Sequence, residues 1–113
     1  MALIDSSVVL DREQLRDITL DDEELMREIL SALIDDTSRQ IGLIESAIRE
    51  KDSQKCMRLA HYSKGACANV GANAAAALLK HIESEASKGE FPACDHSLAA
   101  LAQEIERLRD VSV

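Results

Sequence analysis

One histidine stands among neighbours that suit nucleophilic chemistry. His61 has Arg58 at i−3, Lys64 at i+3 and Gly65 at i+4. On a helix these positions lie one turn to either side of the ring, so two cations and one missing side chain flank the imidazole. A neutral imidazole nitrogen is a competent nucleophile toward a phosphoryl group, and histidine side chains titrate at about pH 6.5 in model peptides. A phosphoryl group in flight carries spread negative charge, which a nearby ammonium or guanidinium stabilises. Gly65 costs a helix about 1 kcal/mol relative to alanine; its use would be to leave the imidazole unshielded, so that a partner's active-site loops can approach. Each feature alone has an ordinary reading: a surface histidine, solvated charges, a glycine at a helix contact. Their combination is what points to phosphoryl transfer.

The element that must position these residues is a helix from about Ser53 to Val70, ended by Gly71 as a C-terminal glycine. Each residue turns the helix by roughly 100°. With Cys56 as zero, Leu59, Ala60, Ser63, Cys67 and Val70 fall within about 60° and form the buried stripe. His61 then points roughly 140° away, into solvent. Gln54, Met57, Arg58, Tyr62 and Ala68 surround it on that side and are the candidate docking residues, with Met57, Tyr62 and Ala68 as an apolar rim. Lys51, Lys55, Arg58 and Lys64 concentrate positive charge there, which suits a partner with an acidic active site and would speed encounter.

The rest of the chain reads as further helices. Ala, Leu and Ile dominate the apolar residues, Tyr62 and Phe91 are the only aromatics, and there is one proline among four glycines. That mixture favours helices over a strand-rich sandwich. Residues 1–10 read as an irregular lead-in and 11–113 as one helical domain. A short helix is predicted over Asp11 to Ile18, with Asp11 and Gln14 as a capping box and Leu15 and Ile18 packed across one end. A long one follows Asp21-Asp22 and runs to about Glu50, with Leu25, Ile29, Leu33, Ile41, Ile44 and Ile48 as its apolar face. A bend is allowed between Asp35 and Gly42. After the His61 helix come one from about Asn73 to Lys88 and one beginning near Pro92. The expected architecture is an antiparallel up-down-up-down four-helix bundle with a short additional N-terminal helix.

Composition excludes several functions. A formal net charge of −8 argues against general nucleic-acid binding, and suits a soluble monomer. No apolar run approaches a membrane span. Met-Ala-Leu-Ile-Asp lacks the basic region of a secretory signal. Three cysteines without a CxxC pair (Cys56, Cys67, Cys94) read as reduced, buried thiols. A cytoplasmic protein is expected.

Ala60-His61-Tyr62-Ser63-Lys64-Gly65, then Val70-Gly71-Ala72, then Leu79-Lys80-His81-Ile82-Glu83, resembles the signature of the histidine-containing phosphotransfer (HPt) domain family. The resemblance covers about residues 20 to 110. It implies that His61 is the phosphorylated residue, usually at the ring nitrogen farther from the backbone. Lys64 would help stabilise the phosphoryl group and Gly65 would permit access. It also implies a carrier that shuttles phosphate between aspartates of response-regulator receiver domains, in some cases from a hybrid sensor histidine kinase. No cofactor is expected in the chain itself, since the Mg²⁺ belongs to the receiver. One residue departs from the pattern: Ser63 stands where the family often has leucine. It lies on the buried stripe, so its hydroxyl is expected to bond back to a helix carbonyl.

Three rivals come from other classes. Nothing resembles a nucleotide-binding Gly-rich loop, so the carrier should lack autokinase activity. A metal-binding bundle would draw on His61, His81, His96 and the cysteines, but no pair shares ligand spacing with a common direction, so no metal site is expected. An HPt-like module that docks receivers or kinases without transfer is the closer alternative. The retained His61, Lys64 and Gly65 weigh against it. Met1 and the full set of helices favour a free-standing carrier over a piece of a hybrid kinase.

Overall fold

The computed structural model describes residues 7–111. They form five helices: α1 (Arg12–Ile18), α2 (Glu23–Arg49), α3 (Ser53–Val70), α4 (Asn73–Ser87) and α5 (Phe91–Arg109), with no strand among the described residues. The part of the expected lead-in at 1–6, Met1 included, lies outside the described residues.

Local chemistry sets the helix ends. Asp11, Asp22 and Asp52 each sit just before a helix, and each side chain accepts the backbone N–H three residues on, at 3.1 Å. Gly71 ends α3 in the left-handed region at φ 93°. Its N–H reaches Ala68 O at 3.2 Å and the Ala72 N–H reaches Cys67 O at 2.9 Å, the paired closure that glycine permits. Pro92 enters at the start of α5, where its missing N–H costs nothing. α2 runs without a break through 35–42, where a bend was allowed.

The apolar stripes meet in one core. Leu15, Ile44, Leu79, Ile82, Leu101, Ile105 and Leu108 are almost wholly enclosed; burying each such aliphatic contributes about 2 kcal/mol. α3 packs between α2 and α4, and α5 closes against both α4 and α2. Ala60, Cys67, Ala72, Ala75 and Ala86 are all buried. Such small residues let α3 and α4 run side by side. Cys56, Cys67 and Cys94 are free and buried, as expected. Burial pushes the Cys67 thiol up to about 11 and the Cys94 thiol up to about 12.

Several expectations at the helix ends need correcting. Ile18 is 50 % exposed and Leu25 37 %, so neither joins the core that Leu15 does. Both sit within a turn of a helix end, where the apolar period is set by very few residues. The capping box at α1 is half formed. Asp11 caps Gln14, but the Gln14 amide donates to Ala68 O and Asn69 O at 2.7 and 3.2 Å, tying α1 to the end of α3. The Asp11 N–H donates to Gly71 O at 2.8 Å instead. The described part of the lead-in, residues 7–10, has no regular structure and packs onto the helices. Leu10 is buried, and Val8 O accepts the Ala74 N–H at 2.9 Å, serving the first turn of α4 where no side chain caps it.

Candidate functional site

α3 presents His61 outward, with 69 % of its side chain exposed. Ala60, Ser63, Cys67 and Val70 are buried behind it and Leu59 is half-buried, so the stripe and the histidine lie on the sides that helical periodicity assigns. α4 supplies what sequence reasoning gave no role. Glu83 reaches across so that His61 Nδ1 lies 2.9 Å from Glu83 Oε2, while the Lys64 ammonium donates to Glu83 Oε1 at 2.6 Å. One carboxylate thus joins the imidazole and the lysine.

The electrostatics of the triad are self-consistent. The Lys64 hydrogen bond holds the Glu83 carboxyl below its usual range, against the opposing effect of partial burial, and the bond from His61 adds to it. An ionised carboxylate only accepts, so the proton between the two groups belongs to Nδ1. In the neutral ring the lone pair then belongs to Nε2, which has no hydrogen-bond partner among the described residues.

The remaining candidates divide. Gly65 is exposed, and a Cβ built on it would meet no atom within 4 Å; the helix contact that might have explained this glycine is absent. Gln54, Arg58, Tyr62 and Ala68 are exposed on the His61 side of α3. Met57 is half-buried and packs against the core beside Ser53, so it offers less rim than expected. The basic patch is partly neutralised. Lys64 is held by Glu83, and Lys55 lies 3.7 Å from Glu50. Arg58 makes no ion pair among the described residues. Ser63 departs from expectation: its Oγ is buried without a hydrogen-bond partner, so the back-bond to a helix carbonyl is not made. Among the described residues, no three His, Cys, Asp or Glu side chains gather as a metal site would require. No helix there is long and apolar enough to cross a membrane.

Among the described residues, fold and site together make an all-helical structure in which one exposed histidine, His61, is braced from the neighbouring helix. The Hpt domain family model matches residues 28–111, and the chain belongs to that family. Its general role is accordingly histidine phosphotransfer in phosphorelay signalling. Among solved structures it is similar to histidine-containing phosphotransfer protein B (HptB) from Pseudomonas aeruginosa PAO1. The TM-score is 0.81 and the identity 24 %, over 89 % of this chain and 88 % of that one. At that identity the likeness speaks for the fold. No curated protein matches the chain.

Glu83 was within reach of the sequence, since it closes the third segment of the family signature. Its partnership with His61 was not, because that depends on how α4 lies against α3.

Proposed function

We propose that this chain is a phosphorelay intermediate in which His61 Nε2 accepts a phosphoryl group from a receiver-domain aspartate, or from a hybrid sensor kinase. It then passes the group to another receiver. The observation that carries this reading is the Glu83 bond to Nδ1, which in a neutral ring assigns the proton to that nitrogen and turns Nε2 outward at a 69 % exposed side chain.

The step balances without a cofactor in the chain. The Nε2 lone pair attacks phosphorus, the P–O bond to the partner's aspartate breaks, and the aspartate leaves as a carboxylate. Nδ1 keeps its proton against Glu83, so the cationic ring that forms on transfer is neutralised at once. The reverse step hands the phosphoryl group to the next aspartate. The Mg²⁺ that screens the acyl phosphate is expected in the receiver. Lys64 has two tasks in this scheme: it keeps Glu83 ionised and placed, and it is an ammonium within reach of the incoming group. Gly65 keeps the approach to Nε2 open. Gln54, Arg58, Tyr62 and Ala68, with part of Met57, form the surface on which a receiver settles.

Short connections and the sequence of helix neighbours support reading α2 to α5 as an antiparallel up-down-up-down four-helix bundle, with α1 as an additional N-terminal helix. A cytoplasmic monomer fits a carrier that must reach two partners in turn. The braced tautomer favours transfer over docking alone, since a docking surface has no use for a fixed ring proton.

The test is incubation with a phosphorylated receiver domain, comparing wild type with His61→Gln. An acid-labile, alkali-stable label on the wild type alone is expected. Equal label on both proteins, or none on either across a panel of receivers, would refute the assignment.

A further inference from the structure

Beside His61, on the side of α3 away from Glu83, lies a groove of about 390 Å³ between α3 and α2, lined by Gln40, Lys55, Arg58, Leu59 and Tyr62. Its outer wall is Tyr62, a large aromatic left 56 % exposed. An exposed aromatic would ordinarily sample several rotamers, but this one has a hydrogen-bond partner that favours one of them. The Tyr62 hydroxyl donates to Asp36 Oδ2 at 3.2 Å, and Asp36 Oδ1 is held by the Arg39 guanidinium at 2.5 Å. Asp36 is only 23 % exposed, whereas Arg39 is 69 % exposed and reaches back from solvent to hold it.

The fastening has two physical consequences. The bond biases the ring toward this rotamer before any partner arrives, so docking against it loses less side-chain entropy. Arg39 also neutralises Asp36, the carboxylate nearest the ring, so the groove keeps the sign set by Arg58 and Lys55. Arg58 has no ion-pair partner among the described residues, and Lys55 is held only loosely by Glu50 at 3.7 Å. Half-buried Leu59 and the tyrosine ring give the groove an apolar interior. The net result is a cationic rim around an apolar slot, one residue along the helix from the nucleophile.

We infer that this groove selects the partner: it takes a segment of the receiver that carries an apolar side chain flanked by carboxylates, and Asp36 and Arg39 act on that choice by holding Tyr62. Asp36 is a positioning residue and touches no reacting atom. Charge complementarity names the occupant, because an acidic segment meets Arg58 and Lys55 while a basic one is repelled. The inference rests on His61 being the phosphoryl acceptor.

The experiment separates the two. Phosphoramidate, a small donor that phosphorylates imidazoles without docking, reports on His61 alone. Purified receiver domains loaded with acetyl phosphate, chosen to span acidic to basic docking segments, report on the groove. Tyr62→Phe and Asp36→Asn should weaken transfer from acidic receivers about tenfold, through KM and not the maximal rate, and Asp36→Asn should leave phosphoramidate labelling unchanged. Arg58→Glu should also weaken transfer from acidic receivers and flatten its salt dependence. Basic receivers should be poor donors to the wild type. If Tyr62→Phe, Asp36→Asn and Arg58→Glu all transfer as the wild type does while phosphoramidate labels normally, the groove has no such role and the His61 assignment stands. If neither donor labels His61, both fall. A concentration-dependent dimer abolished by Tyr62→Ala would assign the groove to a second copy of the chain and overturn the proposal.

Discussion

His61 Nδ1 and Glu83 Oε2 lie 2.9 Å apart although the residues are 22 positions apart, on different helices. The bond fixes which ring nitrogen carries the proton and which faces outward. Glu83→Ala should therefore slow phosphoryl transfer on the order of tenfold while the fold persists, because one charge-assisted hydrogen bond is worth roughly 1.5–3 kcal/mol. Glu83→Gln keeps an acceptor for Nδ1 and should lose less. Rates from a phosphorylated receiver, with imidazole ¹⁵N shifts read alongside, check this. Wild-type rates in Glu83→Ala with an unchanged tautomer would remove Glu83 from the account.

Gly65 within α3 and Gly71 at its C-terminal end should behave in opposite ways. A Cβ at Gly65 meets nothing within 4 Å, so Gly65→Ala should raise stability by about 0.5–1 kcal/mol and yet slow transfer from a receiver. A Cβ at Gly71 would sit 2.8 Å from Asp11 O at a φ of +93°, so Gly71→Ala should cost about 2 kcal/mol. Urea unfolding measures both. A Gly65→Ala variant that transfers at full rate would show that its bare surface serves no access role.

What could be read from the sequence follows from how far each inference had to reach. The stripe through Cys56, Ser63 and Cys67 and the outward direction of His61 depend only on the pitch of one helix. The caps at Asp11, Asp22 and Gly71 are equally local. Ile18 and Leu25 failed because one or two residues at a helix end cannot define a face. The His61–Glu83 bond and the Asp36–Tyr62 bond each join two helices, and their register is set by packing that no single helix encodes. Lys64 shows the same limit: its spacing from His61 was legible, while its engagement by Glu83 was not.

Ser63 has a buried hydroxyl with no partner. Ser63→Ala should stabilise the chain by about 1 kcal/mol, because an unsatisfied polar group leaves the core. Thermal unfolding of the variant checks this; a loss of stability would show that the hydroxyl is satisfied in solution.

Acid should weaken the site in a defined direction. Glu83 titrates below its ordinary 4.5 when folded, so on acidification the unfolded chain takes up its proton first. Its contribution to stability is whole above that ordinary value and disappears as pH falls through the lowered one. Between about pH 6 and pH 3, wild type should lose more stability than Glu83→Gln. Parallel losses would mean that the carboxylate contributes nothing through its charge.

The central claim is that Glu83 reserves Nδ1 and leaves Nε2 to carry the phosphoryl group. The most direct measurement is ³¹P–¹⁵N correlation on the ¹⁵N-labelled chain after transfer from a phosphorylated receiver. The account predicts a phosphoryl group on Nε2 of His61, with the Nδ1 proton still present. Phosphorylation at Nδ1, or on any residue other than His61, would contradict it.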